Sequence, residues 1–167
     1  FARHLGQGRR AVVIVAHGLL KSMQDRRIHH LACRLGRTFD VIAFDFPGHG
    51  LSEGLADLDL VARAHELTTV VRRARQMGYC RVGVVGCSMG AAAAIMASAR
   101  EPRPDAVVAV SVPAAPPAGR CDVPAGPAVR LFAAAVGTRL AHRLHSQTWP
   151  IEVIDRVSPV PLLIVHN

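Results

Sequence analysis

The residues best suited to chemistry are Gly86-Cys87-Ser88-Met89-Gly90, which follow an apolar run and precede an alanine run. A serine between glycines two positions away on each side can sit at the apex of a sharp turn from strand to helix. Its backbone is then strained and its hydroxyl stands clear of the turn. Larger side chains at 86 and 90 would collide across such a turn. The Ala91-Ala92-Ala93-Ala94 run lets the next helix lie close to a sheet, and the first amides of that helix point at whatever oxygen reacts with Ser88. Acyl transfer asks for a nucleophile, a base and two N–H donors for the developing oxyanion. Met89, next after the nucleophile, supplies one N–H. The His17-Gly18-Leu19 loop, behind the first apolar run, is where the second arises, with the Leu19 amide as the expected donor. Read alone, 17–19 would be an ordinary turn with a surface histidine.

A nucleotide-binding turn is the competing reading of the same residues. Gly86, Ser88 and Ala91 fall on the small-residue positions of G-x-G-x-x-G/A. The middle position, however, needs glycine for a pyrophosphate to approach, and an acid should follow about 20 residues on. Here the middle residue is Ser88, and the next strand ends in Ser111-Val112-Pro113 without an acid. Both requirements fail.

The elements that must position Ser88 alternate along the chain. Ala11–Ala16 is a continuous β-branched run suited to a strand buried on both faces. Ser22 with Asp25 resembles a capping box for a helix over 23–37. Val41–Asp45 is a second strand, closed by the Pro47-Gly48-His49-Gly50 turn. Asp57 is the expected cap of a helix carrying Leu60, Ala64, Leu67, Val71 and Ala74 at helical spacing, stopped by Gly78. Strands follow at 81–86, 106–112 and 161–165, with a short helix over 89–99. Five prolines in 113–127 mark a loop, then a helix is expected over 127–145 and a helical turn near 151–157. This is an α/β fold, a mostly parallel sheet with helices on both faces. It reads as one domain over 1–167, with 113–150 as a small lid or crossover.

The formal net charge of +8 carries no nucleic-acid signal. Of the 20 basic residues 19 are arginine, alongside 26 alanines, a pattern expected from GC-rich codons. The charges are scattered singly or in pairs, and aromatics make up 4% of the chain, so stacking platforms are scarce. No apolar run reaches the roughly 18–20 residues of a membrane-spanning helix. Cys33, Cys80, Cys87 and Cys121 lack C-x-x-C spacing and read as mostly buried thiols in a reducing compartment, the cytoplasm. His142 and His145, three apart, and the adjacent His29 and His30 have no supporting ligand set, so no metal is expected.

Val12-Val-Ile-Val-Ala-His17-Gly18, Asp45-Phe-Pro-Gly48-His49-Gly50-Leu-Ser52, Gly86-Cys-Ser88-Met-Gly90 and Pro161-Leu-Leu-Ile-Val-His166 share the order and spacing of the α/β-hydrolase superfamily. The pattern most resembles its esterase, monoacylglycerol lipase and serine-aminopeptidase-like branch, from about residue 11 onward. The resemblance implies a serine hydrolase acting on small-molecule acyl substrates, carboxylic esters first, without a cofactor. It implies a structural role for Asp45 and His49 in the wall of the site, and it gives His166 the place of the histidine in a His-Gly turn rather than that of the general base. The triad acid and histidine of that family come after the strand at 162–165. They are expected beyond Asn167, because Phe1 and Asn167 both read as cut ends, and residues 1–167 alone are then expected to hydrolyse esters poorly. An acyltransferase or thioesterase on the same elbow, or a non-catalytic ligand-binding member, are the other readings.

Overall fold

The β-branched runs assemble into one sheet. In the computed structural model, which describes residues 1–56, 59–113 and 148–166, the strands are β1 (Ala2–Leu5), β2 (Ala11–Ala16), β3 (Asp40–Phe44), β4 (Arg81–Cys87), β5 (Ala106–Val110) and β6 (Leu162–Val165). They lie in the order β1-β3-β2-β4-β5-β6. All neighbours are parallel except β1, which runs antiparallel to β3. Three helices complete the frame: α1 (Arg26–Leu35), α2 (Leu60–Gln76) and α3 (Met89–Ser98).

Side chains of a strand alternate between faces, and β2 shows what that does here. Val12, Ile14 and Ala16 pack with α2 and α3 in the main core. Val15 faces the other way, onto Ile28 and Ala32 of α1, together with Val41. Every residue of α3 is buried, as its nearly all-apolar, small-residue sequence requires. The α1 face is less completely covered. A hollow of about 450 Å³ opens there over residues that include Val13, Val85 and Val108. At the sheet edge, Leu163, Ile164 and Val165 of β6 are exposed.

Several boundaries differ from the sequence expectation, each for a local reason. Helix α1 starts at Arg26, because Asp25 caps it by accepting from the Arg27 amide; Ser22 instead accepts from Gln24 in the turn before. Helix α2 is capped by Asp59, which accepts from Ala62, rather than by Asp57. Strand β5 ends at Val110, since Ser111 takes a φ of +52° that extended chain does not allow. Strand β1, unanticipated, has an entirely exposed ARHL sequence with no apolar alternation to announce it. Cys33 and Cys80 are exposed and Cys87 half-buried, so the thiols of the described residues are not mostly buried as expected. Two 3-10 turns, Pro150–Glu152 and Ile154–Arg156, replace the single turn expected near 151–157. The helix expected over 127–145, nearly all of the expected lid, Asp57, Cys121, His142 and His145 lie outside the described residues.

Candidate active site

Parallel strands end on one side of a sheet, and ligands of such sheets bind there. Strand β4 delivers Ser88 to that side. Ser88 has φ +53° and ψ −116° and begins α3, a conformation that costs an L-residue free energy and persists because its surroundings fix it. Its amide donates to the Val110 carbonyl (2.9 Å), and its carbonyl accepts from Ala91 and Ala92 (2.9 and 3.0 Å). The hydroxyl makes no capping bond to the helix, and the residue is exposed. Backbone groups hold the serine, and its Oγ has no hydrogen-bond partner among the described residues.

Glycine is required on both sides. A Cβ on Gly86 would stand 2.3 Å from the Gly90 carbonyl oxygen, and one on Gly90 would stand 2.4 Å from the Ala16 oxygen. The obstacles are backbone, so neither contact can be relieved by turning a side chain. The same crowding explains why α3 sits against the end of β2, and hence why the loop leaving β2 meets Ser88. A Cβ on Gly18 would lie 3.3 Å from Ser88 Cβ and 3.9 Å from its Oγ.

The 17–20 loop is held from beneath. His17 is fully buried, not the surface residue of an ordinary turn. Its Nε2 accepts from the Phe46 amide (3.1 Å), so the ring proton is on Nδ1, which donates to the Gly18 carbonyl (2.7 Å). Burial, before any other influence, pushes the imidazole below the ordinary value of 6.5 and keeps it neutral. The buried Asp45 carboxylate joins two loops. Oδ1 accepts from the Met23 amide (2.6 Å) and Oδ2 from Leu51 (3.0 Å). The Asp45 carbonyl accepts from Ser52 Oγ (2.7 Å). Gly50, at φ +54°, leaves room for that carboxylate, since a Cβ there would lie 2.2 Å from Oδ2. His49 is buried as well, with Nδ1 donating to the Pro47 carbonyl (3.0 Å).

The structure thus brings Ser88, Gly86, Gly90, Met89, His17, Gly18 and Leu19 together at the ends of β2 and β4. Neither the Leu19 nor the Met89 amide donates to another described residue. Two features escaped the sequence. Leu20 and Ser111, like Ser88, have positive φ without being glycine. All three follow the carboxyl ends of strands, β2, β4 and β5, so strain collects where the site lies. No sequence signal marks Leu20 or Ser111, because neither is a residue type that favours that conformation. Beside the elbow, burial raises the Cys87 thiol above its usual range, which leaves it protonated and weakly nucleophilic. Among the described residues no three His, Cys, Asp or Glu side chains gather as a metal site.

A sequence profile described as the alpha/beta hydrolase family matches residues 3–163. The chain belongs to the alpha/beta hydrolase family. Solved structures agree on the fold. TT1662 from Thermus thermophilus superposes with a TM-score of 0.69 at 24% identity, covering 99% of this chain and 68% of that one. An esterase from Pyrococcus furiosus gives 0.67 at 18% identity, over 96% and 75% of the two chains. A monoacylglycerol lipase from Paleococcus ferrophilus gives 0.63 at 18%, over 99% and 76%. No curated protein matches the sequence. The match reaches back to residue 3, further than the motifs from residue 11 suggested, and takes in most of β1. Within the described residues, no helix of this hydrolase-fold chain is long and apolar enough to cross a membrane.

Proposed function

We propose that this hydrolase-family chain is a serine hydrolase that cleaves carboxylic esters of small-molecule acyl substrates through an acyl-enzyme on Ser88. The observation that carries the reading is the conformation of Ser88. A φ of +53° in a serine between two glycines that cannot bear a Cβ presents an exposed, uncapped hydroxyl. Ser88 Oγ attacks the acyl carbon, its proton passes to a base, and the carbonyl oxygen gains charge. The Met89 and Leu19 amides are the donors assigned to that oxyanion, Met89 as the first amide of α3 and Leu19 in the loop that Gly18 brings to the elbow. The alcohol then leaves with a proton, and water returns the serine. A hydroxyl without a base is a weak nucleophile near neutral pH, and no imidazole or carboxylate is hydrogen-bonded to Ser88 Oγ among the described residues. The base is therefore not assigned to a described residue.

The names of the structural neighbours, an esterase and a monoacylglycerol lipase, support the ester class. Turnover of p-nitrophenyl acetate by the intact protein tests the proposal. Ser88→Ala should lower kcat by about 10⁴-fold or more, with the fold unchanged. Equal turnover in Ser88→Ala would end it.

A further inference from the structure

The direction of the Leu19 N–H is set by a side chain. The Gly18–Leu19 peptide is trans, so its C=O and N–H share a plane and point in opposite directions. Whatever fixes the Gly18 carbonyl therefore fixes the Leu19 N–H. Two donors hold that carbonyl: His17 Nδ1 at 2.7 Å and the Lys21 amide at 3.2 Å. The shorter bond draws the oxygen onto a fully buried ring, which turns the Leu19 N–H away from that ring. The peptide also starts beside the serine, since a Cβ on Gly18 would stand 3.3 Å from Ser88 Cβ.

The ring is clamped in that orientation. Its Nε2 accepts from the Phe46 amide at 3.1 Å, and a flipped ring would break both of its bonds. The Phe46 and His49 rings flank it, with centroids 5.2 and 5.1 Å away, and Asp45 Oδ1 lies 3.8 Å from Nε2. The turn that follows needs such a hold. The Lys21 amide closes residues 18–21 on the Gly18 carbonyl, and Leu20, third in the turn, has a φ of +55° while Leu19 does not go positive. That is the pattern of a type II turn, which ordinarily carries glycine at its third residue. A leucine there works against the turn, so its geometry is held from outside.

We propose that His17 is a positioning residue for ester cleavage: through Nδ1 and the Gly18 carbonyl it aims the Leu19 amide at the developing oxyanion. The inference deepens the reading of Ser88 as the nucleophile and rests on it. The ring transfers no proton and touches no reacting atom; it acts only through the peptide that it holds.

Two variants of the intact protein separate the two bonds of the ring. Asparagine carries an N–H donor near the place of Nδ1, and glutamine an acceptor near the place of Nε2. His17→Asn therefore keeps the hold on Gly18 and leaves the Phe46 amide unpaired, and His17→Gln does the reverse. With p-nitrophenyl acetate, His17→Gln should lower kcat about 30-fold at a KM within about twofold of the parent, while His17→Asn should keep kcat within about fivefold. Stability to urea should run the other way, with His17→Asn the weaker of the two, because its Phe46 amide is buried without an acceptor. A purely structural role would make turnover follow stability. Should neither variant fold, the parent still decides. In its isotope-labelled fluorophosphonate adduct, the Leu19 amide proton should move downfield in the NMR spectrum, since the phosphonyl oxygen stands where the oxyanion would. Equal losses of kcat in the two variants, turnover that follows stability, or a Leu19 amide that the adduct leaves unmoved overturns the proposal, and each leaves Ser88 standing as nucleophile. Turnover that survives Ser88→Ala ends the reading of Ser88, and the role of His17 with it.

Discussion

On one flank of Ser88, the loops leaving β2 and β3 are tied down through buried groups: His17 bridges the Phe46 amide and the Gly18 carbonyl, and Asp45 takes the Met23 and Leu51 amides. On the other, the chain that leaves β5 and β6 is described as far as Pro113 and His166, and there the anchors are backbone bonds such as Ser111 to Val165 (2.8 Å). The two halves of the proposed acyl transfer make different demands on such flanks. Oxyanion donors are backbone amides, so glycines and buried polar groups suffice to aim them. Proton transfer needs a titratable side chain at hydrogen-bond distance. His166 is the sole titratable side chain on the described ends of β5 and β6, and it is exposed.

The contrast can be broken most severely at Gly90. A Cβ there meets the Ala16 carbonyl at 2.4 Å, so Gly90→Ala should destabilise the fold by about 3 kcal/mol, or shift α3 enough to abolish turnover. Gly83→Ala is the control. Its Cβ would find nothing closer than 3.8 Å, and its urea midpoint should stay near that of the parent.

Acid probes the anchored flank more gently. The buried His17 ring titrates below 6.5 in the folded chain. The unfolded chain therefore takes up the proton first as pH falls. Stability from this residue is complete above 6.5 and declines as pH drops from there toward the folded value. The slope is at most about 1.4 kcal/mol per pH unit. Urea unfolding at about pH 7.5 and about pH 5.5 should show that decline, and His17→Gln should flatten it. A parent protein as stable at the lower pH would contradict a buried neutral imidazole. The smallest effect is expected on the other flank. His166→Ala should leave ester turnover within about twofold of the parent, since an exposed ring that is not the base adds little to the reaction.

Much of this was legible in the sequence, for reasons that differ by element. Ala11–Ala16 reads directly because a strand buried on both faces must be apolar throughout, and its observed limits are the expected ones. The elbow reads because its glycines are compulsory. Strand β1 does not, since its ARHL side chains are all exposed and its place is set by pairing with β3. Asp57 and Asp59 are equally good caps two positions apart, and sequence alone had no ground to prefer the second. The burial of His17 was hidden too, because a histidine after a strand looks the same whether its ring meets water or the Phe46 amide.

The central claim, that Ser88 is the nucleophile, is tested most directly by treating the intact protein with a fluorophosphonate and mapping the modified peptide by mass spectrometry. The account predicts one adduct, on Ser88, and none at all in Ser88→Ala. An adduct on another residue, or labelling that survives Ser88→Ala undiminished, would contradict it.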